Sequence, residues 1–412
     1  MSPNSFELPD DIKSLIARLG PALRAFQSAC NRLYFESAES TGPLAWVAAL
    51  VDQGKPPEII ELGRHSSWRD ALPSVIRPDL VMTETGVCIS ELDSLPGGMG
   101  LTGWLNQSYA SLGDDVLGGP DGMIDGFAAA FPTEDILISK ESSDYQPEMD
   151  WIVNALADRE LTRRRVLHTS AARPQSLHYP PATSFYRFFE LWDLDNVEHS
   201  QEWLRLAREG RVNFTPPLKA FLEEKLWLAL FWTPQLQDYW LSALGEEHVA
   251  LFKKCIPQGW VVNPAPQAPF SVLPGLNIHS WEELRHFGHR ARELVLKISG
   301  FSEKGWGSRG VFIGHDMPQA AWSKAIDEAL KSYPRNPFLL QRFYAGRVVP
   351  HPTWNDDTEE TTMMQSRVRL CPYYFVPAGT DDTQLGGVLA TVCPSDKKIL
   401  HGMRDAMMLP CV

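Results

Sequence analysis

Apolar positions at Ile12, Leu15, Ile16, Leu19, Leu23 and Phe26 recur with the period of one helix face, and they predict an amphipathic helix over residues 10–37. Residues 101–112 read as a second helix, and Gly118-Gly119-Pro120-Asp121-Gly122 as a break after it. Asp135–Ser139 is then a short apolar strand, Glu148–Leu156 a helix and Arg165–His168 a strand, an order that predicts a βαβ unit. No glycine fingerprint follows the first of these strands, so a dinucleotide site is not expected there. Pro216-Pro217 punctuates the chain before a helix predicted from Leu218 to Trp232, and residues 233–290, rich in Trp and Pro, carry helical patterning. Glu293–Ser302, Val311–Gly314, Pro337–Phe343, Arg367–Phe375 and the run from Leu385 read as strands, with Pro352–Glu360 as an acidic turn.

A chain of 412 residues predicts two or three lobes, and 44% hydrophobic residues suffice for their cores. No apolar stretch approaches the roughly 20 residues of a membrane helix. The first residues lack a basic start and an apolar signal core, which leads to the expectation of a cytoplasmic protein. A net charge of −13 argues against nucleic-acid and anionic-membrane partners. The six cysteines show no Cys-x-x-Cys spacing and read as reduced thiols rather than a zinc site or disulfide frame. His286 and His289 lack the spacing of a zinc-binding helix and read, with His279, as ordinary histidines.

Acidic residues concentrate at one predicted hairpin. Arg77-Pro78-Asp79 and Glu91-Leu92-Asp93 flank Glu84-Thr85-Gly86; if those three form the loop, Thr83 pairs with Val87 and Asp79 falls opposite Glu91. Asp93 then shares their face. Converging like charges destabilise a sheet unless something holds them, and a hard divalent cation is one such holder; a solvated hairpin end with scattered acids is the other reading. Ser94-Leu-Pro-Gly97-Gly98 leaves this hairpin as a flexible loop, suited to close backbone approach to a substrate or to plain connection.

A second set lies downstream. Lys297 sits on a buried strand just before the glycine-rich turn Gly305-Trp306-Gly307-Ser308, whose backbone N–H groups suit phosphate oxygens. The strand ending in Gln341-Arg342-Phe343 offers an amide and its backbone to a nucleobase edge, or is simply a core strand. Arg367 and Arg369 share a strand face, where one could hold a phosphoryl oxygen.

Together these segments resemble the ATP-grasp ligases, and among them the circularly permuted branch that includes glutathionylspermidine synthetases. That branch places Arg-x-Asp and then Glu-x-Asn early in the chain, ahead of its nucleotide lysines, and Arg77/Asp79, Glu91/Asp93 and Lys297 follow that order. Asp93 stands where the family has asparagine. The resemblance covers residues 75–110 and 210–395 in patches and implies an α+β / α/β, circularly permuted ATP-grasp fold with a Rossmann-like lobe ahead of it and helical additions. The implied parts are an N-terminal helix plus metal-binding part over 1–115, the Rossmann-like lobe over 116–210 and the nucleotide-binding lobes over 211–412.

The implied chemistry is ATP-dependent joining of a carboxylate to an amine or thiol through an acyl-phosphate. Mg²⁺, or Mn²⁺, would rest on Asp79, Glu91 and Asp93. Lys225 (with Lys219 as the alternative) and Lys297 would hold phosphates, under Gly305, Gly307 and Ser308, while Gln341 and Phe343 would line the nucleotide. Arg77 and Arg369 would serve the reacting groups, and Ser94, Gly97 and Gly98 the substrate. A phosphotransferase on the same lobe, and a binding module without turnover, are the alternatives; Asp93 in place of asparagine favours the latter.

Overall fold

The computed structural model describes residues 2–93, 95–159, 164–172, 183–265, 272–305, 309–355, 358–400 and 405–412. The chain forms two compact units, one of Met1–Ser28, Leu62–Lys219 and Ala345–Val412, the other of Ala29–Glu61 and Ala220–Tyr344. The amphipathic helix is present as Asp10–Glu39. No helix among the described residues is long and apolar enough to cross a membrane.

The described residues of the first unit form two sheets. One is antiparallel and built from β1 (Val75–Thr83), β2 (Gly86–Asp93), β11 (Val349–Asn355), β12 (Glu360–Phe375), β13 (Gln384–Pro394) and β14 (Met407–Pro410). Its order is β14-β13-β12-β1-β2, with β11 paired to β12 off that path. The other is parallel, β4-β3-β5-β6, from β3 (Asp135–Ile138), β4 (Val166–His168), β5 (Thr183–Phe188) and β6 (Val212–Thr215). Helix Gln146–Asp158 connects β3 to β4, so the βαβ unit read from the apolar runs is there. Both sheets feed one core: Val75, Tyr373 and Phe375 from the first and Ile136, Ile138 and Tyr186 from the second cluster with Met99, Phe127 and Met149 of intervening helices.

Among its described residues the second unit carries one antiparallel sheet, β7-β10-β8-β9, from β7 (Gly259–Val262), β8 (Leu294–Ile298), β9 (Val311–Ile313) and β10 (Phe338–Arg342). Leu294, Leu296 and Ile298 of β8 and Phe338 and Leu340 of β10 bury one face against Trp322 and Ile326 of helix Gln319–Ser332. Because side chains alternate, Val295, Lys297, Leu339 and Gln341 occupy the opposite face.

Three expectations change. The helix predicted from Leu218 to Trp232 is broken into a 3₁₀ turn, Ala220–Glu223, and a short helix, Leu226–Leu230. The break falls where Glu224 is drawn into a buried ion pair with Lys55. The turn expected over Pro352–Glu360 begins as strand β11, which holds Pro350 and Pro352; among the described residues it pairs only with β12, and an edge strand tolerates residues without N–H donors. Within the helical-looking 233–290, Gly259–Val262 is a sheet strand, whose short apolar run periodicity alone cannot assign.

Small residues set the helix packing in the first unit. Gly100, on helix Met99–Ser111, faces the backbone of Glu148: an added Cβ would lie on the Glu148 carbonyl and 2.7 Å from its Cα. Gly100→Ala is therefore expected to destabilise the protein by about 1–3 kcal/mol through overpacking, read from denaturant unfolding at unchanged m-value. An unaltered midpoint would show that these helices tolerate separation.

Candidate functional site

The acidic hairpin has a different turn from the one expected and the same final pairing. Glu84-Thr85 alone form the loop, and Thr83 pairs with Gly86, whose φ is +133°. On that register Asp79 would face Ser90. A register shift between Asp79 and Leu80 corrects it, so that Asp79 pairs with Glu91 and Arg77 with Asp93. Ser90 Oγ donates to the Asp79 carbonyl at 3.0 Å.

Arginines hold these carboxylates. Arg77 Nη2 reaches Asp79 Oδ1 at 3.1 Å and also pairs with Asp93. Arg369 Nη1, from β12, donates to Asp79 Oδ2 at 2.9 Å, and Cys371 Sγ lies 3.4 Å from Oδ1. Asp93 Oδ1 accepts from the Leu95 backbone N–H at 3.0 Å. Burial would raise the pKa of Asp79, but Arg77 and Arg369 outweigh it and hold the carboxyl below its usual range. Asp93 goes the other way: burial raises its pKa, Glu91 and Asp79 add to that, and Arg77 does not fully oppose them. Burial lowers the Arg77 pKa, yet Asp79 and Asp93 carry it well above the ordinary value.

The glycine loop closes over this cluster. Gly97 O accepts from Arg77 Nη1 at 2.9 Å and from Tyr373 Oη at 2.7 Å. Gly98 has φ +86°, and a Cβ there would meet Tyr373 Oη at 2.6 Å, so no larger residue fits. Ser94 lies outside the described residues. Glu148, which the sequence reading did not single out, accepts from Leu101 N–H at 3.4 Å at the start of the following helix. Burial raises its pKa against backbone hydrogen bonds from Leu101, Gly98 and Gly100.

Three hard-oxygen carboxylates suit Mg²⁺ in kind, but not as arranged. Among the described residues no three His, Cys, Asp or Glu side chains gather so as to hold a metal ion. Asp79 and Asp93 spend their oxygens on the two arginines and a backbone N–H.

In the second unit, Lys297 pairs across the sheet with Leu339, and Gln341 with Val295, which places Lys297 and Gln341 on the same face. Gln341 is buried, and both ends of its amide lack a hydrogen-bond partner among the described residues. Lys225 stands at the start of helix Leu226–Leu230 and donates through Nζ to Gly305 O at 2.8 Å, at the glycine loop itself. Gly307 and Ser308 lie outside the described residues. Phe343 packs its ring against His315, centroids 4.6 Å apart. Lys219 is elsewhere, in the first unit, donating to the carbonyls of Arg69 and Ala71 at 2.7 and 2.8 Å; burial lowers its pKa to about 7.

Sequence reasoning missed the brace beneath Lys225. Glu224 pairs with Lys55 and accepts from Ser299 Oγ and, at 3.2 Å, from Gly300 N–H. It thereby ties the chain before Lys225 to the end of β8. The clustered Glu223-Glu224-Lys225 reads locally as a solvated face, and only Lys55, 169 positions away, shows otherwise.

The electrostatics fix two opposed pH responses. Asp79, with its folded pKa below the unfolded value of about 3.9, contributes stability above that pH and loses it as pH falls through the folded pKa. Asp79→Asn should cost about 3–5 kcal/mol at neutral pH, and the cost should shrink in acid. Asp93, with a raised folded pKa, favours the folded state below about pH 3.9 and loses that contribution as pH rises through the folded value. Relative to wild type, Asp93→Asn should therefore gain stability as pH rises from about 4 to 7. Denaturant unfolding across pH checks both signs, and parallel profiles for the two variants would refute the arrangement. Mg²⁺ alone should leave the melting temperature of the wild-type protein unmoved.

No protein-family model and no curated protein matches the sequence. Solved structures do. A glutathione synthetase-like effector from Globodera pallida, in its apo form, matches over 100% of this chain and 89% of its own, with 12% identity and a TM-score of 0.54. A provisionally named gamma-glutamylcysteine synthetase from Methylobacillus flagellatus KT matches over 90% of this chain and 87% of its own, with 11% identity and a TM-score of 0.44. The mixed α/β architecture of this chain is thus shared with the Globodera pallida protein, at an identity that carries the fold alone.

Proposed function

We propose that the chain is an ATP-dependent ligase of the ATP-grasp type, permuted as in the glutathionylspermidine synthetases, that joins a carboxylate to an amine or thiol. The observation that carries this reading is the second unit's sheet, where Lys297 and the orphaned amide of Gln341 share one face while Lys225 reaches the glycine loop. Gln341 and the β10 backbone would meet the adenine edge, with Phe343 beside them. Lys225 and Lys297 would hold phosphates under Gly305, Gly307 and Ser308, and their charge would offset what builds up during phosphoryl transfer.

In this reading the carboxylate substrate takes the γ-phosphoryl group as ADP leaves. The amine or thiol then attacks the acyl carbon, the C–O bond to phosphate breaks, and phosphate leaves. Arg77 and Arg369 would serve the oxyanion of that second step, at the cluster edged by Gly97 and Gly98. Magnesium is what the resemblance implies, but the Asp79, Glu91 and Asp93 arrangement does not present a place for it, so no step here uses it.

One observation favours a second reading. The arginines that would serve the reaction are already paired with Asp79 and Asp93, as in a binding module that keeps the fold without turnover.

Mg-ATP at a hundredfold excess over Kd should stabilise the protein by about 2.7 kcal/mol, seen as a rise in melting temperature. Lys297→Ala should remove most of that rise and leave the unliganded protein folded. An unchanged ATP response in the variant would overturn the nucleotide assignment. ADP release screened against pooled carboxylates and amines separates the classes: release that needs both substrates marks a ligase, release without an amine a phosphotransferase, and binding without release the inactive module.

A further inference from the structure

The carboxylates around the Gly97-Gly98 loop are not equally committed. Asp79 lies between Arg77 and Arg369, and Asp93 divides its oxygens between Arg77 and the Leu95 N–H. Glu148 differs from both. Among the described residues it enters no ion pair, and what it accepts are backbone N–H groups at the start of helix Met99–Ser111. It is also within reach of a ligand, since Glu148 and Tyr145 are both partly exposed.

Two elements meet at this loop. From the antiparallel sheet, Arg77 and Tyr373 hold the Gly97 carbonyl. From the start of helix Gln146–Asp158, Tyr145 covers Gly97 so closely that an added Cβ would run into its ring, which stands edge-on to Phe188 at 5.3 Å. Burial raises the pKa of the Tyr145 phenol, and Asp93, Arg77, Glu148 and Arg369 act on it as well, which places all of them at one site. Charge decides what that site lacks. Two guanidiniums meet three carboxylates, those of Asp79, Asp93 and Glu148. Burial raises the Glu148 pKa, and neither the backbone N–H groups nor Arg77 offset it. A carboxylate in that state gains from a cation that also donates hydrogen bonds, which describes an ammonium group and not a thiol. Among the described residues no three His, Cys, Asp or Glu side chains gather to take a metal ion instead.

We propose that Glu148 is a specificity-determining residue of the ligase site: it holds the nucleophile as an ammonium group, beside the acyl-phosphate that Arg77 and Arg369 serve. The nucleophile is then an amine and not a thiol. This inference rests on the ligase reading and narrows it.

The test uses the carboxylate and amine that the ADP-release screen selects, with hydroxylamine as a second nucleophile. Hydroxylamine is uncharged at neutral pH and traps an acyl-phosphate as the hydroxamate, so it needs no residue to hold an ammonium group. Glu148→Gln keeps an acceptor for the Leu101 N–H, and hydroxamate formation reports that the variant is folded and still transfers the phosphoryl group. The variant is expected to raise the amine KM about 10–100-fold, the loss of one charge-assisted hydrogen bond, while kcat and hydroxamate formation change by less than about twofold. The inference is overturned if the amine KM matches wild type, or if hydroxamate formation falls as far as ligation does, since Glu148 would then serve phosphoryl transfer or the fold. It is also overturned if thiols and not amines support release. A wild-type protein that ligates beside a variant that ligates equally well sinks this inference alone. A wild-type protein that releases no ADP with any pair sinks the ligase reading and this inference with it.

Discussion

A carboxylate held between two guanidiniums governs the first unit. Asp79 lies on β1, Arg77 two residues before it, and Arg369 on the neighbouring β12, so one buried anion links two strands that are 290 positions apart in sequence. An unpaired buried carboxylate would cost several kcal/mol, whereas one with two partners lets the polar cluster sit inside the sheet. Much else follows. Arg77 turns to Asp93 and to the Gly97 carbonyl, which shapes the loop; Tyr373 can reach that carbonyl only because Gly98 lacks a side chain, and Gly97 leaves room for the Tyr145 ring. The same commitment keeps the acidic hairpin from presenting a cation site.

The second unit uses its own buried pair for a comparable purpose. Lys55 and Glu224 are both inaccessible, and Glu224 also takes the hydroxyl of Ser299 and the N–H of Gly300. That brace interrupts what would otherwise be a continuous helix and leaves Lys225 at the start of a short one, directed at Gly305. Ion pairs of this kind contribute little net stability, because desolvation offsets attraction; removing one partner is what costs. Their effect is on geometry, holding a lysine beside the loop that the sequence marks as phosphate-like.

The hairpin shows how a correct pairing can be read from an incorrect local picture. A three-residue loop and a two-residue loop with a bulge bring Asp79 to the same partner, Glu91. Gly86 marks a positive φ, which both solutions use, so local sequence does not distinguish them. The bulge is decided by the flanking strands, where Ile89 must stay buried beside Leu80 while Asp79 and Glu91 turn to the charged face. Similarly, β11 was unreadable as a strand because two prolines normally exclude one, and only its place at an open edge makes them harmless.

Apolar periodicity and glycine placement were enough, without any contact information, to set out the long first helix, the βαβ unit, and strands β8, β9, β10, the second half of β12 and β13. These are local properties: side-chain period and backbone preference act within a few residues and need no partner. What tertiary structure alone decided is which charges meet. Arg369 on Asp79, Asp93 on Arg77 and Lys55 on Glu224 are pairings across 290, 16 and 169 positions. A charged side chain carries no local mark of its partner, because the attraction that pairs it depends on distance in space and on exclusion of water, and both exist only after the chain has folded.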